Sequence, residues 1–150
     1  MSTTLKKNDL CNPTTSAEIG AVMAQLHQLK VSATSSENKS ELWAVLDDWC
    51  SKAVIASQNV NNNPCVVRTG TWDVSALVQS VKTEIVYLSA QLQKTASPVV
   101  FCHNDAQYGN IIRRHSDGKI MLIDYEYARY NYRGFDLGNH FCEWVWGEIK

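Results

Sequence analysis

Three polar clusters stand at the ends of short apolar runs in the last third of the chain: His103-Asn104-Asp105, Asn110 and Asp124. Asp105 follows Val99-Val100-Phe101-Cys102, a short, β-branched run that reads as a buried strand. Asn110 comes five residues later, and Asp124 closes the next apolar run, Ile120-Met121-Leu122-Ile123. That arrangement can gather two carboxylates and an amide oxygen at one edge of a small sheet. Hard oxygen ligands in that number suit Mg²⁺, which keeps several waters and binds few protein groups when a nucleotide supplies the rest. A carboxylate left free of metal could accept a proton from an attacking hydroxyl. The structural alternative is that Asp105 and Asp124 cap turns and pair with Arg113 or Arg129, and spacing alone leaves both open.

The elements that must position these residues can be read from periodicity. Ile111-Ile112 and Ile120 to Ile123 flank His115-Ser116-Asp117-Gly118, and Asp-Gly between apolar runs predicts a hairpin. Upstream, Ile19, Val22, Met23, Leu26 and Leu29 form a stripe at helical spacing, with Ser16 as N-cap, Glu18 near the positive end of the dipole and His27 as a core or boundary histidine. Leu42, Val45, Leu46, Trp49 and Ala53 predict a second helix. The strongest stripe is Val74, Leu77, Val78, Val81, Ile85, Leu88 and Leu92, a helix from Asp73 to Gln93 stopped by Ser97-Pro98. Between these two helices, Gln58 to Pro64 reads as a loop because asparagine favours turns. Leu137, His140, Phe141 and Trp144 predict a closing helix capped by Asp136, and residues 1–15 read as a polar leader with little pattern.

Composition narrows the function classes. The 150 residues fit one domain and carry 14 Lys+Arg against 15 Asp+Glu, so there is no basic footprint for nucleic acid. No apolar run approaches the ~18 residues that span a bilayer. The first ten residues, MSTTLKKNDL, have no apolar signal core, which predicts a cytoplasmic protein without membrane insertion. Five scattered cysteines without a CxxC pair read as reduced thiols. His103 and His140 do not combine with Cys102 and Cys142 in any zinc spacing, so His103 is expected to fix loop geometry.

Asp-x₄-Asn, a strand and a second Asp is the pattern of kinase catalytic and metal-binding loops. The surrounding text, VVFCHNDAQYGNII followed by LIDYEYARYNYRGFDLGNHFCEW, resembles the choline/ethanolamine kinase family, kinase-like enzymes related to the aminoglycoside phosphotransferases. The resemblance is densest from Pro98 to Trp144 and looser over the Ile19-to-Leu29 helix. It implies an α+β fold, part of the C-terminal lobe of a protein-kinase-like fold, mostly helical with short strands around the catalytic and metal-binding loops. It implies Asp105 as the catalytic base, with Asn110 and Asp124 holding the Mg²⁺ of bound ATP. Gln107 would lie near the phosphates and metal, and Glu126 would assist the metal or brace its loop. Glu143 would be the acidic residue of the amine pocket and Tyr127 an aromatic wall beside it, with Trp144 in the same cage. A quaternary ammonium makes no hydrogen bonds and is recognised by aromatic faces and a nearby carboxylate. The implied reaction is ATP-dependent phosphorylation of choline or ethanolamine, the first step of phosphatidylcholine or phosphatidylethanolamine synthesis, and the wording of residues 131–136 looks more like the choline kinases. At least half of Tyr125, Tyr127, Tyr130 and Tyr132 are expected to pack the loop against the core.

The chain departs from the family pattern on both sides of this region. Before residue 98 it has only Gly20 and Gly70, and Lys6 and Lys7 fall in the polar leader. A glycine-rich turn over the phosphates and a strand lysine are therefore not found. After Trp144 the family continues with helices that carry further aromatic residues of the amine pocket. The expectation is a partial C-terminal lobe over 16–150, with 1–15 as leader and the nucleotide-binding lobe absent. Phosphoryl transfer depends on positioning and electrostatic clamps, so the isolated chain is expected to be inactive. The alternatives are a non-catalytic interaction module, paired as a homo- or hetero-oligomer with a full-length paralogue, and an incomplete gene model.

Overall fold

A computed structural model describes residues 1–31, 39–60 and 73–145, the side chains of 58–60 excepted. The chain sorts into two compact units, Met1–Ser40 with Ser97–Lys150, and Glu41–Ala96.

In the first unit the leader is part of the fold. β1 (Ser2–Thr4) runs antiparallel to a later strand, and α1 (Lys7–Leu10) buries Leu10 completely. Leu5 and Leu10 are too few to show periodicity, and the strand depends on a partner more than a hundred residues away in sequence. α2 (Pro13–Leu26) begins earlier than Ser16 would allow. Its N-cap is Asn12, whose side chain accepts from Thr14 N at 3.0 Å and Thr15 N at 3.1 Å, with Pro13 pre-set for the first turn. Ile19, Met23 and Leu26 are buried as the stripe requires, whereas Leu29 lies past the helix end and is exposed.

The second unit contains α3 (Leu42–Val60) and α4 (Val74–Leu92). α4 occupies its predicted range, with Asp73 accepting from Ala76 N at 3.0 Å. α3 extends through Gln58-Asn59-Val60, where a loop was expected; residues 61–64 of that run lie outside the described residues. The buried line passes through Cys50 and Val78, while Trp49 is 51% exposed and Ala53, Leu77, Val81 and Leu88 are also exposed. One face of each helix is thus apolar over a wider arc than packing uses. Lys82 joins Asp47 across the two helices at 3.2 Å.

The chain returns to the first unit with β2 (Val99–Cys102), then β3 (Ile111–Arg114) and β4 (Ile120–Leu122), which form the predicted hairpin with Ile111 opposite Leu122. Gly118 turns it at φ +70°, a region open to glycine at no steric cost. β1 completes a sheet of order β1-β3-β4. β5 (Arg129–Tyr132) pairs antiparallel with β2, Cys102 opposite Arg129, and α5 (Arg133–Val145) follows directly. Leu5, Leu10, Ile19, Met23, Leu26, Ala106, Ile111, Ile120 and Leu122 form the core beneath the sheet of three strands, with Phe101, Tyr108 and Trp144 packed against it. This core holds both ends of the β3–β4 hairpin, from which the polar clusters project.

Candidate active site

After Cys102 the chain leaves β2, and a single carboxylate captures its backbone. Asp136 is 0% exposed in the first turn of α5, and its oxygens accept from His103 N at 3.0 Å and Asn104 N at 2.7 Å. His27 Nε2 donates to the same carboxylate at 2.8 Å. Burial pushes the Asp136 carboxyl up, but the hydrogen bonds from His27, His103 and Asn104 outweigh it and hold the group below the usual 3.8. Asp136 was expected to cap α5. That helix starts at Arg133, so Asp136 instead caps the loop that leads to Asp105. His27 is the boundary histidine its position suggested.

The Asp-x₄-Asn segment closes on itself. A 3₁₀ turn, Tyr108–Asn110, brings Asn110 back so that its Nδ2 donates to Asp105 O at 3.0 Å and to Asp105 Oδ2 at 2.9 Å. Gln107 Nε2 reaches the same Oδ2 at 3.4 Å. Asp105, Gln107 and Asn110 are therefore one cluster. Because Asn110 spends its N–H₂ group on Asp105, its amide oxygen is left for another ligand.

Asp124 joins the cluster through its neighbour. Ile123 N donates to Asn110 O at 3.0 Å, and His103 Nε2 donates to Ile123 O at 2.9 Å. His103 thus fixes loop geometry, as expected, with its ring 4.8 Å from that of Tyr125. Asp124 itself sits at φ +64° and is exposed, and its carboxylate meets no donor among the described residues. The left-handed region costs a non-glycine residue about 1–2 kcal/mol. The turn-capping alternative loses its partners: Arg113 pairs with Glu18 at 2.8 Å and Arg129 Nε donates to Tyr127 O at 3.0 Å. An exposed carboxylate on a strained backbone and a free amide oxygen are hard donors, and that set fits Mg²⁺.

The residues assigned to an amine pocket lie on two elements. Tyr127 is 39% exposed on the loop between β4 and β5, and Glu143 and Trp144 are half-buried near the end of α5. Trp144 packs edge-on to Phe141 with ring centres 5.4 Å apart and donates to His140 Nε2 at 3.5 Å. His140 Nδ1 in turn donates to Ala106 O at 2.8 Å, so Trp144 is tied through His140 to the base loop. Among the tyrosines, Tyr130 is buried edge-on to Phe101 and Tyr132 is half-buried, while Tyr125 and Tyr127 are exposed.

Sequence reasoning did not find Asn104, Asn131 and His140 as parts of this frame. Asn131 carried a signal, since it is a polar residue set inside the aromatic run Tyr130-Asn131-Tyr132 of a strand. Among the described residues, His27, Cys102 and Asp136 place possible ligand atoms within 4.8 Å of one another. That group is a hydrogen-bond hub and not a metal centre. Burial, then the Asp136 charge, push the Cys102 thiol up to about 12, and the Asp136 oxygens already hold three N–H donors.

A model of the choline/ethanolamine kinase family matches residues 1–148, the leader included. A human choline/ethanolamine kinase is 38% identical over 146 residues, covering 95% of this chain and 34% of that protein. A probable ethanolamine kinase A of Dictyostelium discoideum is 33% identical over 141 residues, covering 94% of this chain and 38% of its own length. The fold is similar to that of a Plasmodium vivax ethanolamine kinase, with a TM-score of 0.74 at 22% identity over 97% of this chain and 42% of that structure. The chain thus spans little more than a third of the two relatives' lengths. The α+β class expected from the sequence agrees with this fold.

Proposed function

Because the chain belongs to the choline/ethanolamine kinase family, we propose that it carries the catalytic and metal-binding loops of an ATP-dependent phosphotransferase acting on choline or ethanolamine. Asp105 is the base: its carboxylate orients the substrate hydroxyl and takes its proton as the oxygen attacks. The observation that carries this reading is the Asn110 amide, which holds Asp105 at 3.0 and 2.9 Å while leaving its own oxygen free beside the Asp124 loop. Asn110 and Asp124 would hold Mg²⁺, and Gln107 would stand beside the phosphates. When bound with ATP, Mg²⁺ supplies charge neutralisation on the transferring phosphoryl group. Tyr127 and Trp144 offer aromatic faces and Glu143 a carboxylate to the ammonium. The product would enter phosphatidylcholine or phosphatidylethanolamine synthesis, in the cytoplasm. Among the described residues no helix is long and apolar enough to cross a membrane.

The 150-residue chain alone is expected to bind Mg²⁺ without measurable turnover, since it contains no glycine-rich turn or strand lysine for the phosphates. In the ¹⁵N-labelled full chain, Mg²⁺ should shift the resonances of Asn110 and residues 123–125, and Asp124→Ala should abolish those shifts. Shifts that survive in Asp124→Ala would remove the metal assignment. Choline phosphorylation by the chain that disappears in Asp105→Ala would overturn the expectation of inactivity.

A second reading is favoured by one feature of α5. Leu137, Phe141 and Val145 recur at i, i+4 and i+8 with exposures of 38%, 56% and 59%. A non-catalytic lobe could use that stripe against a full-length family member, and failure to recover such a partner on co-purification would count against it.

A further inference from the structure

The side chain of Asn104 is used at both ends. Its backbone sits at φ +65°, which turns the amide from the base loop toward the loop between β4 and β5. There Nδ2 donates to Tyr127 O at 2.9 Å, with longer approaches to Cys102 O at 3.4 Å and Arg129 O at 3.5 Å. At the other end Oδ1 accepts from Asn131 Nδ2 at 2.8 Å. Asn131 is itself 1% exposed, and its Oδ1 accepts from Ser40 Oγ at 3.0 Å and Tyr132 N at 2.8 Å. The two amides form a ladder anchored in β5 and ending on the Tyr127 carbonyl.

We propose that Asn104 is a positioning residue that fixes the Tyr127 end of the β4–β5 loop relative to Asp105, and so sets the separation between the base and the amino-alcohol pocket. The inference rests on the reading of Asp105 as base and Tyr127 as pocket wall. At its Asp124 end the β4–β5 loop also meets the base loop through His103 Nε2 on Ile123 O, Ile123 N on Asn110 O and the His103 ring on Tyr125, while Arg129 Nε, from β5, shares the Tyr127 carbonyl at 3.0 Å. The Ala128 N to Tyr125 O bond of 3.0 Å closes a turn within the loop but does not tie it to Asp105. Asn104 performs that task at the Tyr127 end. It suits the task because asparagine tolerates the left-handed backbone and carries a donor and an acceptor on one short, planar group. A misplacement of about 1 Å between a reacting group and its substrate can cost roughly 10²-fold in rate.

Two substitutions separate the tether from the backbone. Asn104→Asp keeps the shape and the acceptor for Asn131 but loses the donor to Tyr127, and Asn104→Gly keeps the left-handed backbone and loses the whole amide. In the ¹⁵N-labelled full chain, backbone order parameters at residues 125–128 should fall from a rigid value of about 0.85 toward about 0.6 in both variants, while Asn110 and β3 stay rigid. In shift titrations, choline should bind about three- to tenfold more weakly, as expected for one lost neutral hydrogen bond, with Mg²⁺ binding at Asn110 and Asp124 unchanged. Unchanged order parameters at 125–128 would overturn the proposal, as would a uniform loss of order along the chain or an equal loss of choline and Mg²⁺ affinity. A wild-type chain that binds no choline would remove the pocket reading, and the relaxation data would still decide the tether.

Discussion

Removing the Asp136 carboxylate should damage the molecule more than any other single truncation in the first unit. Asp136→Ala leaves three donors facing a hole: the backbone N–H groups of His103 and Asn104 and the His27 ring N–H, at present held at 3.0, 2.7 and 2.8 Å. Each buried donor left unsatisfied costs about 1–3 kcal/mol. Water entering the space relieves part of that sum, and loss of one member of a buried charged group typically costs about 3–5 kcal/mol. That is a large fraction of the roughly 5–15 kcal/mol that holds a domain together. Asp136→Asn keeps one acceptor but turns an N–H₂ group toward a donor, so about half the loss is expected. The effect depends on acidity with a definite sign. The Asp136 carboxyl lies below its ordinary 3.8 when folded, so its contribution is complete above that value and is lost as pH falls through the folded value. Urea unfolding followed by circular dichroism should therefore show a gap between wild type and Asp136→Asn near pH 7 that narrows as pH falls below 3.8 toward the folded value. An Asp136→Ala chain within about 1 kcal/mol of wild type, or a gap that stays constant with acidity, would refute the hub.

Three further outcomes follow from local geometry. Iodoacetamide at about pH 8 should modify the exposed Cys11 and Cys142 in the folded chain and leave Cys102, buried and pushed up to about 12, unmodified until unfolding; peptide mass mapping reads this directly. Asn12→Ala should cost about 1 kcal/mol by urea midpoint through loss of the α2 cap, and Asn12→Ser only a few tenths. Gly118→Ala should cost about 1–2 kcal/mol, although a methyl there would meet nothing within 4 Å, because the cost lies in φ +70° alone.

What could be read from the sequence was local. The β3–β4 hairpin and α4 carry their instructions in runs of neighbouring residues: Asp117-Gly118 for the turn, and Asp73 with a repeating apolar stripe for the helix. The pairing of Asp105 with Asn110 is legible for the same reason, since its hydrogen bonds span five residues, whereas Gln107 came only from the family resemblance. Features that depend on distant partners were misread. β1 exists because β3 pairs with it, and Asp136 looked like a helix cap because its partner His27 lies 109 residues away. The Asn12-Pro13 start of α2 was present in the sequence, but Ser16 beside the apolar stripe was the more conspicuous cap. In α3 the apolar arc is wide enough to allow two faces, and packing buried the one through Cys50, leaving Trp49 exposed. The Asn104–Asn131 ladder joins residues 27 apart whose amides match no standard spacing.

The pairing of β2 with β5 has a practical consequence for anyone altering the molecule. The chain leaves this strand pair at Cys102 and rejoins it at Arg129, directly opposite. Everything between is a closed excursion with Asp105 and Asp124 near its two clamped roots and the hairpin tip at its far end. Extra residues grafted at Ser116 would lengthen only the tip, where added loop length costs little. A fluorophore or affinity handle there would leave the roots in register, whereas one residue added within β2 or β5 would reverse the facing of the side chains beyond it in that strand.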